Sequence, residues 1–347
     1  MTVLDVVLSV LPQWLVLVCF LVGFSALATY LVPVIRQSFF LGGVQDLKQS
    51  YGAQWALVTG GSSGIGKAIV RRLAQQGIHV VVVALDDAMM AQTMAELKLS
   101  FPQIEFRSVG VNLGATDPAV YMKPIQDATQ DLPDLRLIFN NAGFILPGIF
   151  HALPLEKHMV NIHCNSTSAV NITHHFLNTL AALPLAGEKK RRGLISFTSS
   201  SAGFLPTPIS ALYGATKTFL TSFASAVATE VQEDGIDIVC VHPSPIDSNF
   251  YANAKGVKLL TSFQKTAMSP DVIAETIFKA AGRCTLRDQG YFSIGSKLLL
   301  KAVDWNFMSE MAPLFMKSNP DFRRLKAAYI QQGGKPGMAT SKVDKEE

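Results

Sequence analysis

Apolar residues dominate the start of the chain: from residue 6 to residue 35 there is no charge, and Leu, Val, Phe and Ala fill most positions. A helix needs roughly 20 such residues to cross a bilayer, so this stretch predicts one transmembrane helix with length to spare. A cleaved signal peptide is the alternative; it calls for a basic start and a shorter apolar core, whereas here Asp5 precedes a long one. From Ala53 the pattern changes to short apolar runs alternating with helical spacing. Residues 55–59, 78–84, 104–111, 135–140, 193–198 and 236–242 read as strands, while 67–76 and 88–99 have helical period. Short buried strands separated by helices predict an α/β fold, a doubly wound parallel sheet covered on both faces. Beyond Asp288, residues 291–300 and 305–315 are apolar with scattered charges. They predict a C-terminal helical extension, either an ordinary helix pair or an amphipathic surface lying on the membrane. The expected organisation is an anchor at 1–36, a linker at 37–52, the α/β domain at 53–285, the extension at 286–335 and a flexible tail at 336–347.

Composition narrows this picture. The chain has 347 residues, 49% of them hydrophobic and only 16% charged, which is apolar for a soluble protein. Its net charge of +4 is spread thinly and its densest basic run, 189–192, reads as a solvated loop, so nucleic acid is not an expected partner. Cys19, Cys164, Cys240 and Cys284 lie far apart without a CxxC pair, which excludes a disulfide scaffold and a thiolate metal site and fits a reducing compartment. His163, His174 and His175 share one predicted helix without partner ligands, and no metal is expected. Asn165-Ser166-Thr167 and Asn171-Ile172-Thr173 have the form of glycosylation sequons but fall on the same packed helix. Arg36 and Lys48 follow the apolar stretch, which places the main domain in the cytosol by the positive-inside rule.

Two constellations carry chemistry. The first strand runs into Thr59-Gly60-Gly61-Ser62-Ser63-Gly64-Ile65-Gly66 and then a helix. Glycines at 60, 64 and 66 allow a tight turn and close approach to a pyrophosphate, and the helix N-terminus offers free N–H groups to the phosphates. Further on, Tyr213 and Lys217 are four residues apart on a predicted helix, so ammonium and phenol share a face. A free tyrosine titrates near pH 10, and a neighbouring cation lowers that value. Ser200 ends a strand thirteen residues before Tyr213, and its hydroxyl can hold the oxygen that Tyr213 protonates.

Together with Asn140-Asn141-Ala142-Gly143, these motifs make the chain resemble the short-chain dehydrogenase/reductases over residues 53–285, with a Rossmann-type sheet. The resemblance implies a catalytic set of Asn161, Ser200, Tyr213 and Lys217, with Asn161 holding a proton-relay water and Lys217 also gripping the nicotinamide ribose. By the same resemblance Gly60, Ser62, Ser63, Gly64, Ile65, Gly66, Asp86, Asn112, Asn141, Tyr213 and Lys217 hold the cofactor, with Ile246 and Ser248 beside its carboxamide. Ser244 stands where that family has glycine, and Asn112 where it usually has aspartate.

The overall plan is similar to that of membrane-anchored very-long-chain 3-oxoacyl-CoA reductases and 17β-hydroxysteroid dehydrogenases of the endoplasmic reticulum. It implies an oxidoreductase acting on a lipophilic ketone or secondary alcohol in lipid metabolism, 3-oxoacyl-CoA reduction in fatty-acid elongation first, with hydroxysteroids, retinoids or 3-ketosphinganine as the alternative. A catalytically silent cofactor-binding membrane scaffold is the reading from another class. NADP(H) is favoured slightly over NAD(H), although Leu85-Asp86-Asp87 offers carboxylates where a 2′-phosphate would sit; Lys67 or Arg107 is the candidate counter-charge. The expected partners are a lipophilic substrate, the membrane, and a second copy of the chain or other lipid-synthesis enzymes. The expected location is the endoplasmic-reticulum membrane, single-pass.

Overall fold

A computed structural model describes residues 12–254, 256–262, 267–331 and 333–334. The beginning of the apolar stretch and the tail at 336–347 therefore lie outside the described residues. The first element is helix α1 (Gln13–Phe39), 27 residues with no buried side chain. An 18-residue window within it has a mean hydropathy of 2.5, and among the described residues it alone is long and apolar enough to cross a membrane. A short helix α2 (Leu47–Tyr51) follows, capped at its start by the Asp46 side chain.

Seven parallel strands then form one sheet in the order β3-β2-β1-β4-β5-β6-β7. They are β1 (Trp55–Thr59), β2 (His79–Ala84), β3 (Phe106–Gly110), β4 (Leu135–Asn140), β5 (Gly193–Thr198), β6 (Ile236–Pro243) and β7 (Leu286–Gln289). Successive side chains of a strand point to opposite faces, and the core follows that alternation. Val80 and Val82 join one buried cluster with Ile69 and Leu73 of α3 (Gly64–Gln75), Met90 and Met94 of α4 (Ala88–Ser100) and Ile277 of a later helix. Val81 and Val83 join the other, with Ile125 of α5 (Ala119–Thr129), Phe176 and Leu220. Both faces are thus covered, which is why these strands read as unbroken apolar runs.

The second face is completed by α6 (Leu155–Ile162), a π-helical turn at His163–Thr167, α7 (Ser168–Ala181) and α8 (Ala211–Glu230). After β6 come α9 (Lys258–Ser262) and α10 (Pro270–Ala280), then β7 and three helices: α11 (Tyr291–Ala302), α12 (Trp305–Ser318) and α13 (Pro320–Gln331). The sheet therefore runs past residue 285, where the sequence pattern ended the α/β domain. β7 pairs with β6 from Leu286 to Gln289, and its Leu-Arg-Asp-Gln sequence carries no apolar run to announce it.

Strand order reverses between β1 and β4, and the loops leaving their C-terminal ends part there to open a crevice.

Candidate active site

The crevice is a cavity of about 470 Å³ that runs from the glycine loop at β1 to Ser200, Tyr213 and Lys217. At the loop, Gly60 has φ +64° and Gly64 φ +51°, a region that L side chains avoid, and a Cβ at Gly66 would stand 2.0 Å from the Gly60 carbonyl oxygen. Ser63 precedes α3 without a side-chain cap, so the first-turn N–H groups of that helix are available to phosphate oxygens. Ser62, Ser63, Gly64 and Ile65 all line the cavity. This cradle fits a dinucleotide pyrophosphate.

Asn141 joins the loop to the sheet. Its amide donates to the Thr59 carbonyl (3.2 Å) and its oxygen accepts from the Thr198 hydroxyl (3.1 Å), tying β1, β4 and β5 together at the cavity floor. Ile246 and Ser248 line the opposite wall. The serine at 244 has a structural role: its hydroxyl donates to the Gln289 carbonyl (2.8 Å) and accepts from the Ser293 N–H (3.1 Å). It thereby fastens the end of β6 to β7 and to the first turn of α11.

At the reacting end, Ser200 is held by the Ala202 N–H, which donates to its hydroxyl oxygen at 3.1 Å. Lys217 is buried, donates to the Thr198 carbonyl at 2.7 Å and lies 5.7 Å from the centre of the Tyr213 ring. Burial pushes its ammonium down from 10.5 to about 8. Enclosure also pushes the Tyr213 phenol above its ordinary range, and the hydrogen bond with Ser200 offsets only part of this. A neighbouring cation alone would lower the phenol, as the Tyr213–Lys217 spacing predicts; here desolvation of the phenolate outweighs the neighbouring groups. A phenol shifted this way is protonated at neutral pH and has a proton to give.

The fourth position differs from the expectation. Asn161 is buried and donates to the Phe144 carbonyl at 2.8 Å; neither it nor Asn165 lines the cavity, and the two differ in what they touch. Asn165, one turn later inside the π-helical segment, clamps Phe144 from both sides: it accepts from the Phe144 N–H (2.9 Å) and donates to its carbonyl (3.0 Å). A Cβ built on Gly143 would meet both Asn165 Oδ1 (3.1 Å) and Lys217 Nζ (3.3 Å). Asn165, not Asn161, is therefore the asparagine beside Lys217. Asn161 and Asn165 are one turn apart, and it is the contacts with Phe144, Gly143 and Lys217 that distinguish them.

At the adenine end, Asp87 is taken up as the cap of α4, accepting from the Met90 N–H at 2.9 Å. Asp86 is exposed just past the end of β2, against Gly110. The Asn112 side-chain oxygen accepts from the Gly114 N–H at 2.9 Å. Neither Asp86 nor Asn112 lines the cavity. Both proposed counter-charges are engaged: Lys67 pairs with Glu96, and Arg107 pairs with Asp131 (2.7 Å) and Glu105 (3.1 Å). Among the described residues no group of three or more His, Cys, Asp or Glu side chains is placed to hold a metal.

A family model described as short chain dehydrogenase matches residues 54–256. That is more than half of the chain, and the chain belongs to this family. It is 30% identical over 222 residues to a very-long-chain 3-oxoacyl-CoA reductase of Laccaria bicolor, a match covering 62% of this chain and 62% of that protein. It is 32% identical over 225 residues to 17-beta-hydroxysteroid dehydrogenase type 3 of Mus musculus, covering 62% of this chain and 68% of the mouse protein. A solved structure of 7beta-hydroxysteroid dehydrogenase shares the fold, with a TM-score of 0.66 at 24% identity over 77% of this chain and 100% of that one.

Proposed function

We propose that the chain is a membrane-anchored, nicotinamide-dependent reductase of lipophilic ketones, with long-chain 3-oxoacyl-CoA as the substrate class. The observation that carries the reading is the continuity of one cavity from the phosphate cradle to Ser200, Tyr213 and Lys217. A bound nicotinamide supplies the hydride that reaches the carbonyl carbon. Ser200 donates a hydrogen bond to the carbonyl oxygen, and Tyr213 delivers the proton that the oxygen needs as it gains charge. Lys217 holds positive charge behind the phenol, and Asn165 fixes the loop at Phe144 against which both are set. The remaining wall is apolar, with Leu205, Pro206, Phe250, Tyr251 and Leu259, and suits an acyl chain.

The charges at the end of β2 support NAD(H), against the slight preference for NADP(H) drawn from the sequence. With Lys67 and Arg107 paired elsewhere, Asp86 remains to accept from a free ribose 2′-hydroxyl and to repel a 2′-phosphate. The apolar helix α1 supports a single-pass anchor, and Arg36 in its last turn supports a cytosolic domain; the endoplasmic reticulum is the membrane that the substrate class implies. The mouse relative's name keeps ketosteroids as the second substrate class. Membranes carrying the protein, supplied with NADH or NADPH, are to be assayed against 3-oxoacyl-CoAs, ketosteroids and 3-ketosphinganine. Turnover of long-chain 3-oxoacyl-CoA is expected. No turnover of any substrate would favour the silent scaffold.

A further inference from the structure

The C-terminal helices leave an apolar surface that the catalytic cavity does not account for. In α11, Tyr291 is 95% exposed, and Leu298 and Leu299 are also exposed; in α12 so are Trp305, Phe307 and Phe315. No residue of α12 is buried. The charges of α11 are both lysines, Lys297 and Lys301.

The depth of this surface follows from its contact with α1. The Tyr30 hydroxyl donates to the Ile294 carbonyl at 3.1 Å, and Gln37 donates to the Leu286 carbonyl at 3.1 Å. At 1.5 Å per residue, Tyr30 lies about 24 Å along the helix from Trp14 and about 9 Å on the apolar side of Arg36. The hydrocarbon of a bilayer is about 30 Å thick. Counted from either end, Tyr30 and the first turn of α11 that it touches at Ile294 lie about 6–9 Å inside the hydrocarbon edge, the depth to which an interfacial helix buries its apolar face. Phe292, next to Tyr291 on this helix, lines the catalytic cavity.

We infer that α11 and α12 lie in the bilayer interface beside α1, and that the cavity takes its substrate from the membrane at α11. This rests on the anchoring proposed above. Exposed aromatic rings in the interface bury their apolar bodies while Lys301, exposed on α11, meets anionic headgroups; Lys297 is held by Asp288. The occupant of the surface is the lipid itself, because α11 packs against α1, the one helix among the described residues long and apolar enough to cross a membrane.

The test uses the full chain reconstituted in phosphatidylcholine vesicles. Tryptophans stand at 14, 55 and 305, and Trp55 is buried in the sheet. In a Trp14→Phe variant, phosphatidylcholine brominated on its acyl chains is expected to quench emission that the double variant Trp14→Phe/Trp305→Phe lacks. Phe307→Asp together with Tyr291→Asp is expected to raise KM several-fold for a sixteen-carbon 3-oxoacyl-CoA and to leave a four-carbon one unchanged. Trp305 emission insensitive to brominated lipid, in protein that resists carbonate extraction, would overturn the inference and leave the anchor standing. Protein extracted by carbonate would overturn the anchor and the inference with it. A KM rise equal for both chain lengths would remove the membrane route for substrate.

Discussion

His242 Nδ1 lies 2.8 Å from Asp288 Oδ1, and both side chains are buried. The contact joins the end of β6 to β7, and it extends in both directions. Asp288 also pairs with Lys297 of α11 at 2.8 Å, while His242 Nε2 stands 3.0 Å from the Thr221 hydroxyl on α8. Thr221 in turn lies 2.9 Å from the Ser199 hydroxyl, which donates to the Lys217 carbonyl at 2.7 Å. Burial holds His242 below its usual range against the pull of Asp288. A neutral ring donates its Nδ1–H to the carboxylate as a hydrogen bond and accepts from the Thr221 hydroxyl at Nε2.

Replacing His242 with Leu leaves both Thr221 and Asp288 short of a buried partner. Thr221 keeps Ser199 and Asp288 keeps Lys297, so each loss costs about 0.5–1.5 kcal/mol, and His242→Leu is expected to lower the unfolding midpoint by a few degrees, with His242→Gln recovering part of it. An unchanged midpoint for His242→Leu would mean the chain adds nothing to stability.

The two asparagines separate cleanly by experiment. Asn165→Ala removes the clamp on Phe144 beside Lys217 and is expected to lower turnover at least tenfold, on the scale of general acid–base contributions. Asn161→Ala loses one hydrogen bond to the same carbonyl and is expected to change stability more than turnover. The reverse ranking would return the role to Asn161.

Cofactor choice is tested at Asp86. Two like charges about 4 Å apart in a surface cleft repel by roughly 4 kcal/mol at most, less when screened. Asp86→Ser is expected to raise the NADPH/NADH ratio of kcat/KM several-fold. A ratio that does not move would place the selectivity elsewhere.

Lys217 gives a pH signature. Its folded value of about 8 lies below the ordinary 10.5, so between these values the unfolded chain holds a proton that the folded chain has released. Stability conferred by this group therefore rises with pH across that window. The stability of wild type relative to Lys217→Met is expected to improve from pH 8 to pH 10, read as unfolding midpoints in detergent. A difference that is flat with pH would mean the ammonium is not destabilised by burial.

Much of this was legible in the sequence, and the reasons differ by element. Strands such as β2 and β4 are buried on both faces, so their apolar runs stand out against polar helix surfaces. β7 was not legible, because Leu286–Gln289 carries Arg287 and Asp288 and is defined by pairing with β6 rather than by hydrophobicity. Tyr213 and Lys217 were readable because a regular helix preserves their four-residue spacing. Asn165 was not legible because the resemblance points to Asn161 one turn earlier, and only the packing of Asn165 against Phe144 and beside Lys217 sets the two apart. The engagement of Asp87, Lys67 and Arg107 depends on partners 3, 29 and 24 residues away. His242 belongs to no motif, and only the sheet brings it to Asp288.

The central claim is that Tyr213 delivers the proton to the carbonyl oxygen. Its most direct test is the rate of NADH oxidation by Tyr213→Phe membranes supplied with a long-chain 3-oxoacyl-CoA, beside wild type at equal protein. Turnover is expected to fall by a factor on the order of 10² or more, with NADH binding, measured by fluorescence, near that of wild type. A Tyr213→Phe protein that keeps most of its turnover would contradict the account.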